Sequence, residues 1–108
     1  MNAGSLDRRI KIEQPKQEQD SRTGQLKTPT WLPFAEVWAR RSPAMGGERF
    51  LADQRIAEAD TIFRVRYLRG VLPTMRVVDA DGRAYDIKGT QEVGRREGLD
   101  ILAKARTE

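Results

Sequence analysis

Residues 61–67 read Thr-Ile-Phe-Arg-Val-Arg-Tyr, with Phe63, Val65 and Tyr67 alternating against Ile62, Arg64 and Arg66. A period of two specifies a strand with an apolar face and a cationic face, because successive strand side chains point to opposite sides. The same period returns in residues 9–13, where Ile10 and Ile12 oppose Arg9, Lys11 and Glu13, and in residues 99–103, where Leu99, Ile101 and Ala103 share a side. Residues 75–79 and 83–88 flank Ala80-Asp81-Gly82, and an Asp-Gly pair between alternating runs signals a hairpin. Residues 30–41 carry Trp31, Phe34, Val37 and Trp38. Period two would put Phe34, Glu36 and Trp38 on one face, Pro33 confines the start to an edge or bulge, and both tryptophans are expected in core or barrel-end packing. The pattern predicts a mainly β fold, a small six-stranded β-barrel or sandwich.

Two segments break the alternation. Residues 16–28 hold no strong apolar residue except Leu26, and Ser21-Arg22-Thr23-Gly24 supplies turn chemistry. They form a long polar loop, and loops above about 12 residues are often functional. Residues 47–59 read as one short α-helix. At about 100° per residue Phe50 and Ala57 share a face beside Ile56, while Leu51 lies roughly 140° from Ile56. A stripe that wide implies a helix packed on its own barrel on one side and on a neighbouring chain on the other. Phe50, Leu51, Arg55 and Ile56 are the candidate interface.

At 108 residues the chain suits one domain spanning residues 1–108. Apolar residues make up 38% and charged residues 33%, with a mean hydropathy of −0.69, so the core is thin beneath a charged surface. Histidine and cysteine are absent. Disulfides and thiolate or imidazole metal sites are thereby excluded, and no cofactor is expected. Ser5, Ser21 and Ser42 lie in no nucleophile setting. Asp79 and Asp81 read as turn formers. Asp79-x-Asp81-Gly82 lacks the later glutamate of a calcium loop, and Gly46-Gly47 belongs to no phosphate loop. No catalytic constellation remains, and no enzyme is expected.

The net charge is +4, with 15 Arg and 5 Lys against 16 acidic residues, interspersed rather than blocked. Sequence-independent contact with DNA is permitted. Arg64, Arg66 and Arg69 are a candidate basic strand face, able to meet phosphates or the carboxylates of adjacent strands. No apolar run approaches the roughly 20 residues of a membrane helix, and residues 1–9 carry no secretory pattern. Synthesis in a bacterial cytoplasm and no membrane contact are the expectation.

In order and spacing the motifs resemble phage head–tail joining proteins, the head-closure or stopper family also found in prophages and gene transfer agents. They are the basic opening strand Leu6-Asp7-Arg8-Arg9-Ile10-Lys11-Ile12-Glu13, the polar loop, Val37-Trp38-Ala39, the short helix, Phe63-Arg64-Val65-Arg66-Tyr67, Met75-Arg76-Val77, Gly82-Arg83-Ala84-Tyr85-Asp86-Ile87, and the last strand near Leu99. The resemblance implies a ring of copies, dodecameric, in the neck of a phage-like particle beneath the portal and adaptor. It also implies a channel that retains packaged DNA and a far face that accepts a tail terminator or tail tube. Lys16, Arg22 and Lys27 of the long loop become candidates for the channel or for docking, and the two-sided helix becomes a subunit contact. The isolated chain is expected to be monomeric. The alternatives are a tail-terminator-like ring protein and a small nucleic-acid-binding β-barrel. The latter would need aromatics among the basic residues of one face, whereas Phe63 and Tyr67 alternate with Arg64 and Arg66.

Overall fold

The computed structural model describes residues 6–16, 30–44 and 58–106. Its six strands are β1 (Arg8–Lys16), β2 (Thr30–Pro43), β3 (Thr61–Arg66), β4 (Arg76–Val78), β5 (Ala84–Val93) and β6 (Gly98–Ala105). They close into a barrel in the order β1-β2-β3-β6-β5-β4, every neighbouring pair antiparallel. The mainly β expectation holds, and of barrel and sandwich the chain adopts the barrel. The short strand β4 closes the wall, pairing with β1 through Lys11↔Val78, Ile12↔Val77 and Glu13↔Arg76 and with β5 on its other side. The described residues contain no helix. Residues 47–57 of the expected helix lie outside them, Glu58 is in a turn and Ala59 is irregular. Lys16 of the expected loop is the last residue of β1, and residues 17–28 lie outside the described residues.

Alternation fills the barrel. Ile10, Ile12, Ala39, Phe63, Val65, Val77, Ile101 and Ala103 are fully buried. At their centre the Phe63 and Tyr85 rings meet edge to face with centroids 5.0 Å apart, a geometry the ring quadrupoles favour. Ile62 and Leu102, of the opposite parity, are apolar for a separate reason. With Ala44 and Ala59 they make a second, smaller cluster.

Two irregularities shift the expected boundaries. Ile12 pairs with Ala35 but Glu13 with Pro33, so Phe34 has no residue opposite it. This bulge turns Phe34 onto the core although it is in phase with Trp38, which is exposed. In β5, pairing with β6 skips Lys88, and the strand runs on to Val93, past the expected end at residue 88. At the hairpin before it, Gly82 adopts φ 88° and its amide donates to the Asp79 carbonyl at 2.9 Å, which is what the Asp-Gly signal requires.

β1 runs beyond the alternation at residues 9–13: Pro15 pairs with Trp31 and the strand continues to Lys16. Beyond Glu13 the only neighbour of β1 among the described residues is β2, and a proline is tolerated where a strand has one partner. Residues 14–16 and 30–32 thus form a two-stranded arm extending past the barrel wall, joined in sequence by residues 17–29.

Candidate functional site

The structure places Arg64 and Arg66 on the outward side of β3 but in different circumstances. Arg64 sits directly across from Asp100 on β6 and donates from Nε to Oδ1 at 2.7 Å and from Nη2 to Oδ2 at 2.9 Å. The Asp100 side chain is only 5% exposed. Its hydrogen bonds hold the Arg64 pKa above its usual value despite the opposing effect of burial. This fork is a structural tie, because Asp100 would otherwise be a nearly buried charge without a partner. Arg66, opposite Gly98, is exposed and has no ion-pair partner among the described residues. Arg64→Ala should therefore cost about 1–3 kcal/mol of stability, measurable as a lower midpoint in urea unfolding. Arg66→Ala should stay within about 0.5 kcal/mol of the parent. Lys16 is exposed at the end of the arm, while Arg22, Lys27, Phe50, Leu51, Arg55 and Ile56 lie outside the described residues.

A polar network at one end of the barrel was not anticipated. The Asp79 side chain is fully buried. Its Oδ1 accepts from Arg8 Nε at 3.0 Å and from the Ala80 amide at 2.7 Å. Its Oδ2 accepts from Arg8 Nη2 at 3.2 Å and Arg41 Nη1 at 2.8 Å. Arg41 also reaches the Tyr85 hydroxyl at 3.5 Å. Burial pushes the Asp79 pKa up, but the Arg8 hydrogen bond, the Ala80 amide and the charges of Arg8 and Arg41 outweigh it, leaving the carboxyl below its usual range. The Arg8 pKa is raised, mainly through the same hydrogen bond. A carboxylate held this firmly between two guanidiniums closes the barrel end and is unsuited to general acid–base work. A sequence signal existed. Arg8, Arg41 and Asp79 are in phase with the inward residues Ile10, Ala39 and Val77, and three charges at apolar parity imply mutual pairing. Asp79 is thus more than the turn former expected, while Asp81 does accept from the Arg83 amide at 3.0 Å.

Neither tryptophan is in the core. Trp31, half-buried on the arm, lies under Arg76 and Arg106, whose guanidinium carbons are 4.3 and 5.2 Å from the ring centroid. Arg76 in turn bonds Glu13 at 2.7 Å, and Arg106 bonds Asp86 at 2.6 Å. This clasp ties the arm to β4 and to the end of the chain. Trp38 is 51% exposed on the outer wall. The parity that buries Val37 and Ala39 faces it outward. Among the described residues no group of acidic side chains gathers to hold a metal ion, and no helix is long and apolar enough to cross a membrane.

A closed antiparallel barrel whose ion pairs tie its strands together is a rigid scaffold. The family model for the phage head completion protein matches residues 1–106. The chain belongs to the phage head completion protein family. Its role is therefore that of a structural component in completing phage-like heads, within a family of virion parts rather than enzymes.

Among solved structures this head completion protein is similar to protein SF1141 from Shigella flexneri 2a, with 27% identity and a TM-score of 0.77, covering 100% of this chain and 99% of that one. It also shares its fold with a chain in the virion of a native gene transfer agent particle, at 24% identity and a TM-score of 0.63, covering 94% and 96% of the two chains. No curated protein sequence matches it.

Proposed function

We propose that this head completion protein acts as a head–tail connector, its residues 1–108 forming one connector domain. Copies assemble in the bacterial cytoplasm into a cyclic, dodecameric ring beneath the portal and adaptor, which then occupies the neck of the particle. The ring retains packaged DNA and presents its far face to the tail terminator or tail tube. The observation that carries this reading is the arm, a two-stranded extension that leaves a closed barrel beyond Glu13 and ends at Lys16 and Thr30. Its two strands are joined in sequence by residues 17–29, which include Arg22 and Lys27. Retaining DNA needs charge and obstruction, without base reading. An arm anchored to the wall by the Trp31 clasp supplies a fixed origin for such an obstruction. Phe50, Leu51, Arg55 and Ile56 serve as the contact between adjacent copies.

Negative-stain microscopy of particles from a strain lacking the gene tests the proposal. Separated tails beside heads that have lost their DNA are expected. Normal DNA-filled, tailed particles would overturn it.

A further inference from the structure

The outward face of β1, β2 and β3 carries an exposed indole among cations. Arg9 lies directly across from Trp38, with its guanidinium carbon 5.3 Å from the ring centroid. On the other side Ala39 pairs with Val65, so the next position brings Arg66 level with Trp38. One step along β2, Arg40 pairs with Arg64. Lys11, Arg40 and Arg66 are exposed and have no ion-pair partner among the described residues. Of the carboxylates nearby, Glu36 bonds Arg9 at 3.1 Å and Asp100 is taken up by Arg64 at 2.7 Å.

A single exposed apolar side chain is ordinary. This one differs because it is the largest side chain available, it is steadied by stacked Arg9, and it stands near Lys11, Arg40 and Arg66, which have no ion-pair partner among the described residues. We propose that this Trp38 face is the docking surface of the protein for the phage-like head, and that its occupant is an acidic protein surface with an apolar socket for the indole. The inference rests on the head-completion role. Tryptophan and arginine dominate the energetics of protein interfaces, where a central aromatic fills a dry pocket. The same face of a second copy is a poor match, since it carries the same exposed Lys11, Arg40 and Arg66 and like charges repel at close approach. Duplex DNA would engage the arginines through phosphates but leave the indole in water, its bases being already paired and stacked.

The probe is the tail-less head purified from a strain lacking this chain. Purified parent, Trp38→Ala, the double variant Arg40→Glu/Arg66→Glu, and Lys104→Ala, an exposed control on β6, are added and bound protein is measured by co-sedimentation. Circular dichroism confirms folding, and the charge-reversed pair serves as a second variant should Trp38→Ala fail to fold. Binding to a duplex and to a single-stranded oligonucleotide is measured in parallel. The expected result is saturable, salt-weakened binding of the parent, about tenfold weaker for Trp38→Ala and weaker still for the charge-reversed pair. Lys104→Ala should match the parent, and Trp38→Ala should leave oligonucleotide binding unchanged. Parental binding by folded Trp38→Ala would overturn the proposal, as would an equal loss on heads and oligonucleotides, which would make the face a nucleic-acid site. Failure of the parent to bind any heads would instead overturn the head-completion reading on which the proposal rests.

Discussion

Phe63→Ala is expected to cost about 3–5 kcal/mol, the usual range for removing a buried aromatic ring. The ring is completely buried and meets Tyr85 edge to face. Its loss leaves a cavity that β-strands bonded on both sides cannot collapse to fill, because β3 is held between β2 and β6. Small domains are stable by only about 5–15 kcal/mol, so much of that margin disappears. Urea denaturation followed by far-ultraviolet circular dichroism should show the midpoint falling sharply with little change in slope. Full retention of the midpoint would mean that the barrel centre is not where its stability resides.

Asp79→Ala is the second large effect, about 2–4 kcal/mol. The substitution deletes a fully buried carboxylate and leaves Arg8 and Arg41 facing each other at the barrel end. By the general scaling for small domains, the melting midpoint should drop by roughly 10–20 °C. The isosteric Asp79→Asn separates charge from shape through pH. The Asp79 pKa is depressed in the folded state, so its contribution is complete above the unfolded carboxyl value of about 3.9. It is lost as pH falls through the folded pKa. The stability difference between parent and Asp79→Asn should thus be constant near neutrality and shrink on acidification below about pH 4. A difference that persists unchanged into strong acid would show that the Asp79 charge is not what the arginines require.

Strands were legible because period two is a direct imprint of burial. Residues 61–67 and 99–103 could hardly be anything else, and the Asp81-Gly82 turn fixed the hairpin between β4 and β5. What escaped depended on pairing that one strand cannot reveal. Phe34 and Trp38 share parity, and only the extra residue opposite Ile12 and Glu13 sends one inward and leaves the other out. The continuation of β5 through Gly89, Thr90, Gln91 and Glu92 carries no apolar alternation, since a bulge interrupts its phase. Tryptophan's hydrophobicity argued for core or barrel-end packing of Trp31 and Trp38, whereas Trp31 is half-buried on the arm and Trp38 is exposed, each beside arginine. The Asp79 network was in principle readable from three charges at inward positions. Arg64 and Arg66 look alike in sequence, and only the position of Asp100 on β6 separates a tied cation from one with no ion-pair partner among the described residues.

Closure of the wall also governs when the chain can fold. The seam between β1 and β4 joins Glu13 to Arg76 across 63 residues, and β3 must wait for β6, which follows it in the chain, to complete its other side. Chain neighbours such as β1–β2 and β5–β6 pair first, but the barrel closes only when these distant pairings form, a topology that makes folding slow relative to helical proteins of equal size. During synthesis the emerging sheet therefore presents bare edges until its last strand is released. Yield of the intact protein should accordingly respond to translation speed and temperature more than to changes on its surface.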